Sequence, residues 1–345
     1  LKQIVSIITP SFNRADLVTE TADSIFAQTY PYWEWVIVED GSTDNSWEVL
    51  QAIAAKDSRV KIFQRQRLPK GACACRNIAV ENCTGDYVMF LDTDDVLAPY
   101  CLEQRVAAMQ ENPDCDFVIF PMLLFENELM DLNVLWNIDK DKDDIHRILT
   151  GDAVCQGTGP LWKKSSFQQV GMWREDLALW QDVELHIRSL LWPMKYVKRL
   201  DLNPDVYLRV SYTSLSRSGY YTLPKIKSRM EVLVYTYRTV REKGVFEQYR
   251  NDVSTLANDI VLSAIVGGHY SEAKKFLAFC RNENLFDLSK YNAVQNYLSV
   301  RKSKLSKIKA VDSFFYRKAR LLQIATDNTI GKISWKPSSV SPVLF

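Results

Sequence analysis

The sequence predicts an α/β protein: a mostly parallel central sheet flanked by helices over residues 1–220, followed by a helical region over 221–345. Three observations predict it. Strand-like and helix-like runs alternate four times in about the first 100 residues, the pattern of a parallel sheet with helices on both faces. Polar residues collect at the carboxyl ends of the strand-like runs, where such sheets bind ligands. From Tyr221 onward, long helical patterns take over.

Ile4–Ile8 is a β-branched run ended by Thr9-Pro10 and reads as a buried strand. Leu17, Val18, Thr21, Ile25 and Phe26 fall on one face of a helix over 14–28. Trp35–Val38 is a second buried strand, and Thr43 or Asp44 can cap a helix running to Ala55. Strands at 60–63 and 87–91 enclose a helix near 72–82. A helix near 99–111 and a strand near 116–123 continue the alternation. The charged run 137–144 reads as a solvated loop, 180–191 as a helix, and 195–200 and 205–211 as strands. Helices are expected at 222–242, 246–266, 271–282 and 304–325.

With 47% hydrophobic and 25% charged residues, the 345-residue chain has ordinary globular composition. A formal net charge of +1 gives no whole-molecule attraction to nucleic acid. Seven cysteines without a CxxC pair argue against a zinc cage and for reduced thiols, hence a cytoplasmic setting. No signal peptide is visible, and no run of 18 apolar residues exists to span a bilayer.

Asp-x-Asp occurs at 92/94, 114/116, 139/141 and 141/143, so spacing alone selects nothing. Position separates them, because only Asp92-Thr93-Asp94-Asp95 directly follows an apolar strand at its carboxyl end. Carboxylates there can hold Mg²⁺ or Mn²⁺, hard cations that bind one or two carboxylates plus substrate phosphates. A solvated turn capping the next helix reads equally well. Asp40 ends another buried strand and can accept from a base or from ribose hydroxyls, or belong to an ordinary Asp-Gly-Ser-Thr-Asp turn. Arg76 can neutralise phosphate and Asn77 can bond a sugar or base, while a surface Arg is the plainer reading. Asp182 and Glu184 lie about 200° apart on a helix, so one at most faces a pocket and the other is expected in solvent. Such a carboxylate can take the proton of an attacking hydroxyl. His186 reads as a helix-face or core histidine. Trp162, Trp173, Trp180 and Trp192 can stack on sugars or pack the core.

Four segments in order carry a resemblance: Val5 through Arg14, Val36 through Asp44, Gly71 through Asn77, and Phe90 through Asp95. The chain resembles the family-2 inverting glycosyltransferases with a GT-A fold, strongly over residues 3–100 and fairly to about 215. The resemblance implies transfer of a hexosyl or N-acetylhexosaminyl group from a nucleotide-diphosphate sugar, UDP-linked first of all. The acceptor would be a hydroxyl of a glycan or lipid-linked glycan in polysaccharide synthesis. It places Pro10, Ser11 and Phe12 around the nucleobase, Asp40 on the base or ribose, and Arg76 and Asn77 beside the donor. Asp92, Thr93 and Asp94 would meet the donor, with Asp94 and Asp92 ligating Mn²⁺ or Mg²⁺ and Asp95 nearby. Asp182 would be the catalytic base, and Gly157 to Trp162, including Gly159, with Trp180 would border the acceptor. Two departures stand out: Gln181 where relatives often carry Glu, and no histidine within Leu208 to Tyr212.

Residues 301–320 hold eight Lys or Arg and one acid, Asp312, around an apolar stripe of Leu305, Ile308, Val311, Phe314 and Phe315. That helix can lie on the anionic inner face of a membrane, or pack its stripe on the enzyme or on a partner subunit. Two rivals to the transferase remain. A nucleotidyltransferase calls for a Gly-rich basic loop after the first strand, and residues 9–16 hold no Gly and one Arg. A non-catalytic sugar-nucleotide-binding or glycan-binding protein predicts donor binding without turnover.

Overall fold

The computed structural model describes residues 2–210 and 219–321. Ser211 and Tyr212, and the last turn of the helix expected to reach 325, lie outside the described residues.

Seven strands form the main sheet in the order β10–β6–β9–β4–β1–β2–β3. These are β1 (Val5–Ser11), β2 (Trp33–Glu39), β3 (Val60–Gln64), β4 (Tyr87–Phe90), β6 (Phe117–Ile119), β9 (Pro160–Lys163) and β10 (Tyr196–Lys198). Neighbours β1–β2, β2–β3, β1–β4 and β6–β10 are parallel, and β9 runs antiparallel to both β4 and β6. Val5, Ile7 and Ile8 of β1 are all buried, as expected of a central strand covered on both faces. Helices α1 (Val18–Phe26), α2 (Ser46–Ala54), α3 (Ala72–Asn82) and α4 (Cys101–Glu111) follow their strands. Small residues on α3 (Cys73, Ala74, Cys75 and Ala79) let it pack closely on β1 and β2.

Glu34 pins the amino end of this sheet. It accepts from Ser6 Oγ at 2.6 Å, from the Gly85 amide at 3.0 Å, and from Lys61. A Cβ on Gly85 would stand 2.5 Å from Ser6 Oγ and 2.6 Å from the Ile4 carbonyl, so only glycine fits that crossing.

The single strand expected at 116–123 breaks at Phe120-Pro121. Its second half becomes β7 (Met122–Phe125) of a smaller sheet ordered β5–β11–β7–β8, with β5 (Val96–Leu97), β8 (Val134–Leu135) and β11 (Val206–Arg209). Proline lacks the ladder N–H, which suits the change of sheet there. The run 137–144 is not wholly solvated. Asn137 is buried, donating to the Phe120 and Val154 carbonyls and accepting from the Met122 amide, and Asp144 opens α5 (Asp144–Leu149).

Short helix α6 (Lys164–Gln169) precedes α7 (Gln181–Leu191). Beyond residue 219 lie α8 (Leu223–Glu242), α9 (Phe246–Val266), α10 (Tyr270–Asn282), α11 (Leu288–Lys302), a 3-10 turn (Lys304–Lys307) and α12 (Lys309–Leu321). Helix α11 was not expected from the sequence. Its signal is Asp287, whose carboxylate caps the Lys290 amide at 2.7 Å. The apolar core of these helices is continuous with Leu149 of α5 and with Ile187 and Leu191 of α7. The helical region is therefore built onto the element that carries Asp182.

Candidate active site

β1 and β2 end together, the Asp40 amide donating to the Ser11 carbonyl at 2.9 Å. Beyond them the chain turns through Asn13, which sits in the left-handed region at φ 51°. Asn13 Oδ1 accepts from the Thr43 amide at 2.8 Å, and its own amide donates to Ser42 Oγ at 2.9 Å. These bonds fix Pro10, Ser11 and Phe12 along one rim. Ser11 Oγ is buried with no hydrogen-bond partner among the described residues, a polar atom that a base or ribose can satisfy. Phe12 is partly exposed, with the Lys70 ammonium 4.1 Å from its ring centroid. The Asp40 carboxylate is held by the Arg65 guanidinium. The sequence reading named neither Arg65 nor Lys70 as site residues.

The Asp92–Asp95 turn leaves β4 at the same end of the sheet, anchored by the Leu91 amide on the Ile8 carbonyl at 3.0 Å. Its four residues point differently. The half-exposed Asp92 carboxylate accepts from Arg76 Nη2 at 2.6 Å. Thr93 is buried. Asp94 faces Arg14, whose Nε is 3.9 Å away. Asp95 turns inward and accepts from the Arg209 amide at 3.0 Å, so it braces the turn. Burial, and then the Asp92 charge, push the Asp94 carboxyl above the usual range, with Arg14 opposing them. Among the described residues, no three His, Cys, Asp or Glu gather as a metal cage. The donors present are two hard carboxylates, Asp92 and Asp94, which suit Mn²⁺ or Mg²⁺ completed by substrate phosphates.

Asp182 stands in the first turn of α7. Trp180 enters that helix in the left-handed conformation, at φ 64°. The loop before it is clipped by Ser228 of α8, which donates to the Leu179 carbonyl at 2.7 Å and accepts from the Leu179 amide at 3.2 Å. Burial raises the Asp182 carboxyl. The Val183 amide, at 2.9 Å, and the Arg76 charge pull it back, and the Asp92 charge pushes it up again. Arg76 thus links the aspartate turn electrostatically to Asp182.

Some expectations change. Glu184 is fully buried rather than solvated, bridging to Arg188 with both bonds at 2.9 Å, while Arg188 holds the Met172 carbonyl at 2.7 Å. Asn77 is buried and bonded to the segment ahead of α7. Its amide group donates to the Trp173 carbonyl and to Glu175, each at 2.8 Å, and accepts from the Trp173 amide at 3.1 Å. Trp162 is fully buried between Phe117 and Phe167, and stacks on His186. Trp162 and His186 are both core residues. Gly159 is also buried, 3.1 Å separating its would-be Cβ from Cys155 and Met122. Trp180 is half-buried. Gln181 donates to the Leu177 carbonyl at 3.0 Å. All seven cysteines are free and buried.

In the stretch from Leu208 that lacks a histidine, Arg209 braces the aspartate turn. Its Nε donates to the Asp94 carbonyl at 3.1 Å, its fork reaches Glu20, and its guanidinium covers Phe125.

The sequence pattern of the family described as Glycosyl transferase family 2 matches residues 6–171. Among curated proteins, the Escherichia coli UDP-Glc:alpha-D-GlcNAc-diphosphoundecaprenol beta-1,3-glucosyltransferase WfaP is 40% identical over 230 residues, 64% of this chain and 83% of that one. The putative teichuronic acid biosynthesis glycosyltransferase TuaG of Bacillus subtilis (strain 168) is 39% identical over 116 residues, 34% of this chain. That match spans only 45% of TuaG's own length. Among solved structures, S. aureus TarS 1–349 in complex with UDP-GlcNAc superposes with a TM-score of 0.59 at 16% identity, over 92% of this chain and 90% of that one. At that identity the likeness establishes the fold alone. With most of WfaP's length matched at this identity and the sheet built as described, the chain belongs to glycosyltransferase family 2 and has the GT-A fold.

Proposed function

We propose that the chain transfers a hexosyl group from a UDP-sugar, UDP-glucose first, to a hydroxyl of a diphospholipid-linked sugar, with inversion at the transferred carbon. The relative whose printed name states this chemistry, WfaP of E. coli, supports the choice of donor and acceptor. The observation that carries the mechanism is Arg76, which pairs with Asp92 at 2.6 Å and whose charge also acts on the buried, raised carboxyl of Asp182. Ser11, Phe12 and Asp40 receive the nucleoside. Asp94, with Asp92, would hold a divalent cation against the diphosphate. Bound there, such an ion stabilises the negative charge of the departing UDP. Asp182 accepts the acceptor's hydroxyl proton as its oxygen bonds to the anomeric carbon and the carbon–phosphate-oxygen bond breaks. The raised carboxyl of Asp182 suits a base that must hold that proton after transfer.

The test supplies UDP-glucose, Mn²⁺ and a synthetic N-acetylglucosaminyl diphospholipid, and reads the anomer of the product by NMR. Asp182→Asn should keep UDP affinity within about twofold and lose transfer by about 10²–10⁴-fold, the range for a general base. Transfer by that variant at the native rate overturns the base. Donor binding without turnover on any acceptor returns the chain to the binding-protein reading.

A further inference from the structure

The last two elements have two apolar sides. On the inner side, Phe315, Tyr316 and Ala319 of α12 pack onto the helical core, so part of the predicted stripe covers the enzyme itself. On the outer side, Leu305, Ile308 and Phe314 are 52%, 53% and 55% exposed. Val311 and Phe314, three apart on α12, share one side of that helix, and Ile308 stands in extended conformation just before it. Lys318 lies one helical turn after Phe314 on α12, and Lys304 and Lys307 belong to the 3-10 turn that precedes the helix, so exposed cations flank the apolar residues on both sides along the chain. The acid of the segment, Asp312, faces inward to Arg301 at 3.4 Å, and both are half-buried. The other seven Lys and Arg between 301 and 320 are exposed. The exposed charges of residues 301–320 are therefore all cationic, on a chain whose total formal charge is only +1. Among the described residues, no helix is long and apolar enough to cross a membrane.

We propose that the outer face of residues 304–318 docks the protein on an anionic lipid bilayer. Leu305, Ile308 and Phe314 enter the headgroup boundary, and Lys304, Lys307, Lys309 and Lys318 lie against lipid phosphates. Charge selects this occupant. An apolar strip meant for a second copy of the chain would bring two identical rows of lysines together, and like charges at short range oppose such a pairing. A bilayer bearing anionic lipids supplies the opposite sign and an apolar interior at once. The proposal does not depend on which sugar is transferred or on transfer at all.

The test is sedimentation of the full chain with phosphatidylcholine vesicles, with and without about one third phosphatidylglycerol, at low and at high salt. The expected result is binding to the anionic vesicles only, weakened about tenfold or more by high salt. The double variant Ile308→Ser/Phe314→Ser should lower vesicle affinity about tenfold or more, and so should Lys304→Glu/Lys307→Glu. Both should keep UDP affinity and melting temperature, which separates lost docking from lost folding. Three results overturn the proposal: no binding of the native chain to anionic vesicles; binding that neither variant alters; or a concentration-dependent dimer that the serine variant dissolves. Native binding without any sugar transfer would leave this docking intact and sink only the enzymatic reading above.

Discussion

Arg76 Nη2 donates to Asp92 at 2.6 Å while its guanidinium lies 5.0 Å from the Trp173 ring centroid, so one half-buried cation is fixed from two sides beside the aspartate turn. Its position follows from α3, whose small residues bring the helix close enough to the sheet for Arg76 to reach the end of β4.

Replacing Arg76 by Met keeps the stem and removes the charge. Asp92 then loses its partner, and misplacement of a positioning group costs about 10²-fold in rate. We expect kcat/KM to fall by about that factor. The pH dependence should also shift in a definite direction. Asp182 acts as base only when deprotonated, and the Arg76 charge lowers its pKa. Without that charge the acid limb of the kcat/KM profile should move to higher pH. An unmoved limb in an active Arg76→Met enzyme would separate Asp182 from the rate-limiting proton transfer.

Asn77 offers a contrast. Its three bonds go to Trp173 and Glu175, so it ties the segment ahead of α7 to α3. Asn77→Ala leaves buried backbone groups of Trp173 unpaired, at a cost of about 1–3 kcal/mol. Urea unfolding should register that loss, with UDP affinity changed less than about threefold. A large loss of UDP affinity at unchanged stability would restore the donor-side role that the family resemblance implies.

Glu34 gives a stability prediction with a pH signature. Burial pushes its carboxyl up, but Lys61, Ser6 and the Thr84 amide outweigh burial and hold it at about 2, well below the usual carboxylate range. A depressed pKa contributes stability that is present above the unfolded value and lost as pH falls through the folded one. Glu34→Gln should therefore destabilise the protein by about 2–3 kcal/mol at pH 7. The gap to the native protein should close between about pH 4.5 and 2. Chemical denaturation of both proteins at several pH values in that window measures it.

How much of this was legible in the sequence varies by element. Helices α1 and α3 and strands β1, β2, β3 and β4 announced themselves through β-branched runs and apolar spacing, and with them came the aspartate turn. Strand β9 did not. Pro160-Leu161-Trp162-Lys163 is short, opens with proline and has no alternation. Only its insertion between β4 and β6 makes it a strand, and that same insertion buries Trp162. Glu184 was misplaced because helical periodicity gives angles and not neighbours. It is Arg188, one turn on and reaching the Met172 carbonyl, that makes a buried glutamate tolerable. Arg65 and Arg209 were likewise invisible as site residues, since each meets its aspartate only through strand pairing across the sheets.

Arg209 supplies the last prediction. Its side chain reaches the Asp94 carbonyl and Glu20, while its backbone amide holds Asp95. Arg209→Lys preserves the amide and the charge but loses the fork, so the variant isolates the side chain's hold on the turn. Groups that orient metal-binding carboxylates through a second contact typically change metal affinity about 10–100-fold when altered. We expect the half-saturating Mn²⁺ concentration for sugar transfer to rise about tenfold, with kcat at saturating Mn²⁺ within about threefold of native. If half-saturation does not move, the Asp95–amide bond alone holds Asp94 in place, and the guanidinium serves only to cover Phe125.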